Sequence, residues 1–271
     1  DKEVYEYFLN WIGQMIQFPE VKTICPILIS KQGAGKGTLI KFLTKMLGEN
    51  KVMEPTDPSR DVWGNFNGKM ADSFLVAINE VGKKDTMDSM GKIKGLITDP
   101  EVIINSKGVN AYSIKSYHRF IMTTNNFEPI ESSKDDRRNF IIRSSDEKIG
   151  DKAYFTRLND LLEDVNVVKT CYEYFKALPN LDMFGSLKMP KTEHQRDLQE
   201  LSVSPIELWI KDLALNASED VLEMTGSESL ESFKTYCEHN GFKYEINSLK
   251  LGIRINALAI QGIEKGRHTK Y

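Results

Sequence analysis

Residues Ile24 to Leu43 read ICPILISKQGAGKGTLIKFL, a short apolar run, a glycine-rich turn and the start of an amphipathic pattern. The run predicts a buried strand, with Pro26 among its first residues because proline cannot donate to a ladder. Leu39, Phe42, Leu43, Met46 and Leu47 then recur at helical spacing until Gly48. Gly33, Gly35 and Gly37 remove side chains where a backbone must fold tightly and turn its N–H groups toward an anion. The helix that follows points its positive dipole end to the same place, and Lys36 adds a point charge. The expectation is an α/β fold with a parallel sheet and a phosphate cradle at the end of a strand.

The P-loop signature is G-x-x-x-x-G-K-[ST], and this stretch meets it with two departures. Ser30 stands at the first glycine, and Gly37 takes the hydroxyl position, so the hydroxyl falls to Thr38. The shifted form, GKGT, also occurs in nucleoside monophosphate kinases. A turn that merely joins strand to helix is the plainer alternative; the strand before it and Lys-Gly-Thr after it weigh against that. Nucleotide contacts are expected from Gly33, Ala34, Gly35, Lys36, Gly37, Thr38 and Leu39.

Composition narrows the setting. With 271 residues, 40% of them hydrophobic, the chain can bury a sizeable core in one or two domains. No apolar run approaches the roughly 20 residues of a membrane span, and the opening DKEVYEYF is no signal peptide. An intracellular, non-secreted protein without a membrane partner is expected, and the missing initiator Met suggests a piece of a longer chain. Cys25, Cys171 and Cys237 are far apart and odd in number, as reduced thiols would be, and four scattered histidines make a zinc site improbable. A net charge of −3 announces no nucleic-acid partner, although Lys83 to Arg119 holds seven basic residues against four acidic ones.

Taken in order, Val4, Phe8, Trp11, Ile12 and Met15 predict a leading helix that Pro19 ends. Val52 to Lys69 reads as a loop with a short packed piece around Trp63 and Phe66. Phe74 to Ile78 is an unbroken apolar run typical of a central parallel strand, and it delivers Asn79 and Glu80 at its carboxyl end, where α/β sheets put chemistry. Glu80 there can orient a water that attacks a terminal phosphate; a glutamate that simply ends a strand is the alternative. Met87, Met90, Ile93 and Ile97 suggest a helix ending at Asp99-Pro100. Glu101 to Asn105 and Ala111 to Lys115 then flank SKGVN, the pattern of a hairpin with Lys107 and Gly108 at its tip. Arg119 to Thr124 is another apolar strand ending in TTNN, and DDRR precedes a strand from Phe140 to Arg143.

The series GAGKGT, FLVAINE, NSKGVN, FIMTTNN, DDRR resembles the motif order of superfamily-3 helicases, above all the primase-helicases of poxviruses, giant viruses, virophages and phages. The likeness covers residues 1 to about 145 closely and the remainder loosely. It implies an AAA-like ATPase core assembling as a hexameric ring, with ATP and Mg2+ between subunits and single-stranded DNA in the channel, translocating 3′ to 5′ during genome replication. Carried over by position, Lys36 falls on the phosphate contact, Thr38 on the magnesium ligand, Glu80 on the catalytic acid and Asn125 on the γ-phosphate sensor. Asn79 falls where a metal-associated acid is usual. Lys107, Gly108 and Lys115 fall on the DNA-contacting hairpin, and Arg137 or Arg138 on a finger reaching a neighbour's ATP. A primase or polymerase domain N-terminal to this chain, in host cytoplasm or a viral replication site, is the implied setting.

The domains expected are residues 1–148, the ATPase core with its leading helix; 149–190, a helical segment and linker; and 191–271, a winged-helix module. Phe155, Leu158, Leu161 and Leu162 make one helix face, and Val168, Cys171, Tyr172 and Phe175 another, with Leu178 to Pro190 read as the linker. Three later helices, around Ile206 to Leu213, Leu230 to Cys237 and Leu249 to Ile255, precede a strand pair turning at Gly262 and Gly266; a plain helical bundle is the alternative. Two other functions share many of these residues: an AAA-type ATPase that remodels protein or packages DNA, and a small-molecule phosphotransferase, for which no arginine-rich lid is visible.

Overall fold

The computed structural model describes residues 1–80, 83–127, 136–201, 203–216, 223–260, 262–264 and 266. It divides into two compact units, Asp1–Leu201 and Ser202–Tyr271.

The first unit is built on a parallel sheet of five strands: β1 (Cys25–Ile29), β2 (Val52–Met53), β3 (Leu75–Asn79), β6 (Arg119–Thr124) and β7 (Asn139–Arg143), in the order β2-β3-β6-β1-β7. Its strands read as unbroken apolar runs because both faces are covered, and alternate residues serve opposite cores. Ile27, Ile29, Val76, Ile78, Phe120 and Met122 enter one core with Trp63, Ile93 and Val102. Leu28, Leu75, Ala77, Ile121 and Phe140 enter the other with Trp11, Leu43 and Phe184. Cys25 N–H donates to Arg138 on the β7 side, and pairing of β1 with β6 begins only at Ile27, so Pro26 forfeits no ladder bond.

Helix α1 (Lys2–Gln17) is capped by Asp1 and packs its Trp11–Ile12–Met15 face under the sheet. Helix α2 (Lys36–Leu47) follows the glycine turn. The expected loop after β2 carries helix α3 (Pro58–Asp61), started by Asp57 and Pro58, and a 3-10 turn at Gly68–Met70; Val62, Trp63 and Met70 are buried and Phe66 is exposed. Helix α4 (Lys83–Thr98) then leads to an antiparallel hairpin, β4 (Glu101–Ile104) and β5 (Tyr112–Lys115). The side chains of Met87 and Met90 lie outside the described residues.

Two expectations are corrected beyond β7. Leu178 to Pro190 is no linker: Leu181–Ser186 forms a 3-10 helix whose buried Leu181 and Phe184 pack against α1, and Gln17 donates to the carbonyls of Phe175 and Leu178. Helices α5 (Lys152–Glu163) and α6 (Val165–Lys176) lie against α2 and belong to the same unit as the sheet. So does α7 (Glu193–Leu201), because Thr192 donates its hydroxyl to Ile141 O at 2.8 Å and Leu198 is buried with the sheet core. The division falls after Leu201, not at 190.

The second unit holds α8 (Pro205–Asn216), α9 (Gly226–His239) and α10 (Ser248–Ala257) around Ile206, Trp209, Phe233, Cys237 and Leu251. Ser204 and Glu207 exchange capping bonds at the start of α8, and Thr225 with Glu228 forms a capping box for α9. The three helices stand where expected. Among the described residues of this unit there is no strand; much of the strand pair expected around Gly262 and Gly266, residues 261, 265 and 267–271, lies outside the described residues.

Candidate functional site

The parallel strands end together, and the glycine turn opens at that carboxyl edge. Gly33 and Gly35 take φ of +84° and +98°, conformations that L side chains strain to adopt. Gly35 is the N-cap of α2 and offers no side-chain acceptor, so the first N–H groups of the helix keep no cap from within. Lys36 Nζ donates to Ser30 O at 2.7 Å, Ser30 Oγ at 2.9 Å and Lys31 O at 3.1 Å. The serine that departs from the signature is therefore a partner of the lysine, buried beneath it. Burial pushes the Lys36 ammonium below its ordinary range, while Asp146 and Glu80 pull it back up.

Glu80 leaves β3 at φ +56°, a left-handed conformation that is uncommon for a non-glycine residue. Beside it, Asn79 donates to Glu54 Oε2 at 2.8 Å and accepts from the Thr123 hydroxyl at 2.9 Å. Those two partners orient the amide: its nitrogen faces the carboxylate and its oxygen the hydroxyl. Ser30 N–H donates to Thr124 O, and Asn79 pairs with Thr123, so Ser30, Glu80 and Asn125 stand on three adjacent strands at one edge. Asn125 is exposed there.

A cavity of about 600 Å3 adjoins the turn. Gly35, Thr38 and Leu39 line one side of it, and Phe155, Leu158 and Val168 the other. A Cβ on Gly35 would sit 3.1 Å from Phe155, so the glycine is also where helix α5 comes close to the turn.

Other residues stand elsewhere. Arg137 and Arg138 precede β7, whose first residue pairs with the first residue of β1, so both lie at the amino edge, a five-residue strand or roughly 17 Å from the glycine turn. Asp136 shapes that approach by accepting from the backbone N–H groups of Arg138 and Asn139 and the Asn139 side chain; Arg137 is exposed and Arg138 half-buried, while Asp135 lies outside the described residues. The hairpin is also rooted at the amino edge. Lys107 and Lys115 are exposed, Gly108 has φ of +80°, and Lys115 Nζ lies 5.1 Å over the Tyr117 ring.

Residues 28–138 match DUF5906, a family of unknown function. Over 134 residues the chain is 32% identical to a DNA primase-polymerase of Nitratiruptor phage NrS-1, an alignment that takes in 48% of this chain and 18% of that protein. Two apo structures of the NrS-1 C-terminal region share the fold at 21% identity: one with a TM-score of 0.66 over 87% of this chain and 59% of the other, and one with 0.67 over 94% and 66%.

The family match takes in the glycine turn, Glu80, the hairpin, Asn125 and both arginines, but stops before Phe155 and Leu158. Those two belong to a face that the sequence marks for packing, and all four of its residues, Phe155, Leu158, Leu161 and Leu162, line the cavity. Glu54 and Asp146 were also missed. A carboxylate just past the end of a strand was the available signal for both, each standing within three residues of β2 or β7. No group of three or more His, Cys, Asp or Glu able to hold a metal occurs among the described residues. Thr38 lies beside the turn and lines the cavity. No helix among the described residues is long and apolar enough to cross a membrane.

Proposed function

We propose that this chain is an ATP-driven DNA motor of a phage or viral replication protein, a helicase of the superfamily-3 type working as a ring. The observation that carries the reading is the placement of Lys36, bonded to Ser30 at the end of β1, and of Glu80, at the end of β3, on the same carboxyl edge of the sheet. One group would hold the β and γ phosphates and the other would orient the attacking water, with Asn125 sensing the γ-phosphate from the neighbouring strand. The cavity beside Gly35 would take the nucleoside of ATP against Phe155 and Leu158. Mg2+ when bound would neutralise phosphate charge, with the Thr38 hydroxyl as its protein ligand.

What the strand geometry forbids supports assembly. Arg137 cannot reach its own glycine turn across the length of the sheet, but it is exposed and free to meet the nucleotide of another subunit. In a hexameric ring, copies of Lys107, with Gly108 shaping the tip and Lys115 on the flank, would converge on single-stranded DNA in the channel. Such a cluster binds a phosphate backbone even though the chain is acidic overall. The relative's name supports a priming or polymerising domain as partner on the same polypeptide, since the match takes in only 18% of that protein.

Hydrolysis of ATP measured with and without single-stranded DNA tests the reading. Stimulation by DNA is expected, together with unwinding of a forked duplex. Hydrolysis that responds to a folded protein and not to DNA would favour a protein remodeller, and phosphate transfer to a small acceptor would favour a kinase.

A further inference from the structure

A two-stranded hairpin is marginal in water unless something else holds it. Among the described residues, strands β4 and β5 pair only with each other, apart from the five-stranded sheet. One face is secured, because Val102 and Ile104 are buried in the sheet core. The strand edge is secured differently. Asn67 Nδ2 donates to Ile103 O at 2.8 Å, and Asn67 Oδ1 accepts from Asn105 N–H at 2.8 Å. A carbonyl and an N–H two residues apart are what a neighbouring strand would engage, and the side-chain amide engages both. Asn67 is 7% exposed. Next to it, a Cβ on Gly68 would fall inside the Ser106 side chain, so the segment is pressed against the root of the tip.

The residue that makes this clamp is itself held. Its segment runs from Glu54, bonded to Asn79 beside Glu80, to Met70, and it is anchored midway by buried Val62 and Trp63. Lys92 of α4 donates to Trp63 O at 2.9 Å. Beyond Ser106 the tip is exposed, with Lys107 and Val109 in solvent.

We propose that Asn67 is a positioning residue for the hairpin, fixing the attitude at which Lys107 is presented to single-stranded DNA. The role rests on the reading of Lys107 as a DNA contact. Aspartate cannot replace it, because a carboxylate accepts from Asn105 but faces Ile103 O with no proton to give. The connection between the nucleotide edge and the hairpin thereby includes a hydrogen-bonded path besides the chain through α4.

Hydrogen exchange of the full chain, followed by DNA and nucleotide titrations, tests this on Asn67→Ala, Asn67→Asp and Lys107→Ala. In Asn67→Ala the Asn105 amide should exchange roughly tenfold to a hundredfold faster, as expected for a lost buried partner. Asn67→Asp should keep that amide protected and still weaken DNA binding. Single-stranded DNA affinity should fall at least fivefold in both while nucleotide affinity stays within twofold, and Asn67→Ala should add little to Lys107→Ala. Unchanged exchange at Asn105 would overturn the clamp. Faster exchange with unchanged DNA affinity, in a background where Lys107→Ala does weaken binding, would overturn the positioning role. If Lys107→Ala binds DNA normally, the DNA reading of the hairpin has failed and the proposal falls with it, whatever the exchange data show.

Discussion

Asn79 donates its side-chain amide to the Glu54 carboxylate across 2.8 Å, tying the carboxyl ends of β2 and β3. The asparagine that departs from the helicase pattern thus has a complement on the next strand. Asn79→Asp should set two carboxylates against each other and lower stability by up to about 1 kcal/mol, the range of exposed charge interactions. Combining it with Glu54→Gln restores a donor and an acceptor, so thermal melts and turnover of the double variant should recover toward the original. An Asn79→Asp protein indistinguishable from wild type in both measurements would dissolve the pairing.

Lys36→Ala and Glu80→Gln should separate binding from chemistry. Loss of the lysine charge removes nucleotide binding or turnover, whereas the glutamine keeps binding and loses hydrolysis. A fluorescent ATP analogue and a phosphate-release assay read the two steps, and normal hydrolysis by Glu80→Gln would take that residue out of the reaction.

On the proposed reading, placement of Arg137 at the amino edge leaves it only a neighbouring subunit's nucleotide to act on. Arg137→Ala should cost about 10³ to 10⁵ in rate if it is an arginine finger. Mixed with Glu80→Gln subunits, it should regain part of that rate, since some interfaces then carry both groups. Absence of any recovery in verified mixed rings would argue against action in trans.

The two glycines flanking Lys36 should behave oppositely. Gly35→Ala places a side chain at φ +98° and against Phe155, costing about 1–2 kcal/mol from the backbone alone. Gly37 lies in α2 with open space around it, so Gly37→Ala should hold or raise stability, by up to ~1 kcal/mol. Denaturant unfolding of both variants decides the matter, and equal losses would contradict the local geometry.

Lys22 supplies a pH signature. Burial, with Arg119 adding to it and Asp99 opposing, brings its ammonium down to about 8, although it donates to Leu96 O, Asp99 O and Ser116 Oγ. The unfolded chain then binds more protons than the folded one between that value and the ordinary 10.5. The cost of the buried charge is fully present below pH 8 and is relieved as pH rises. Relative to Lys22→Met, wild-type stability should climb by roughly 1–2 kcal/mol from pH 8 to 10.5, solvent screening having reduced the full shift. A flat difference across that range would mean the lysine is better hydrated than its contacts indicate.

The sheet and the glycine turn were legible in the chain because their signals are local. A strand buried on both faces must be apolar throughout, as Phe74 to Ile78 is, and a parallel strand leaves its chemistry at its carboxyl end, where Asn79 and Glu80 stand. The hairpin and the helix starts were equally local, written in turn residues and caps such as Ser204-Pro205. Leu178 to Pro190 was misread because a six-residue 3-10 helix is too short to show a period, and only its contacts with α1 reveal that it is core.

Tertiary structure alone decided what the helical faces are for and which residues meet across the sheet. An apolar face such as Phe155 and Leu158 looks the same in sequence whether it meets another side chain or borders a cavity. Ser30 beneath Lys36, Glu54 against Asn79, and Asn67 along the edge of β4 are single polar residues whose partners lie 6, 25 and 36 to 38 positions away. A hydrogen bond of that kind leaves no periodicity behind. The bond between Glu54 and Asn79 exists only once parallel strands have brought distant ends to one edge, and the same strand alignment holds Arg137 and Lys36, both written plainly in the sequence, a strand's length apart.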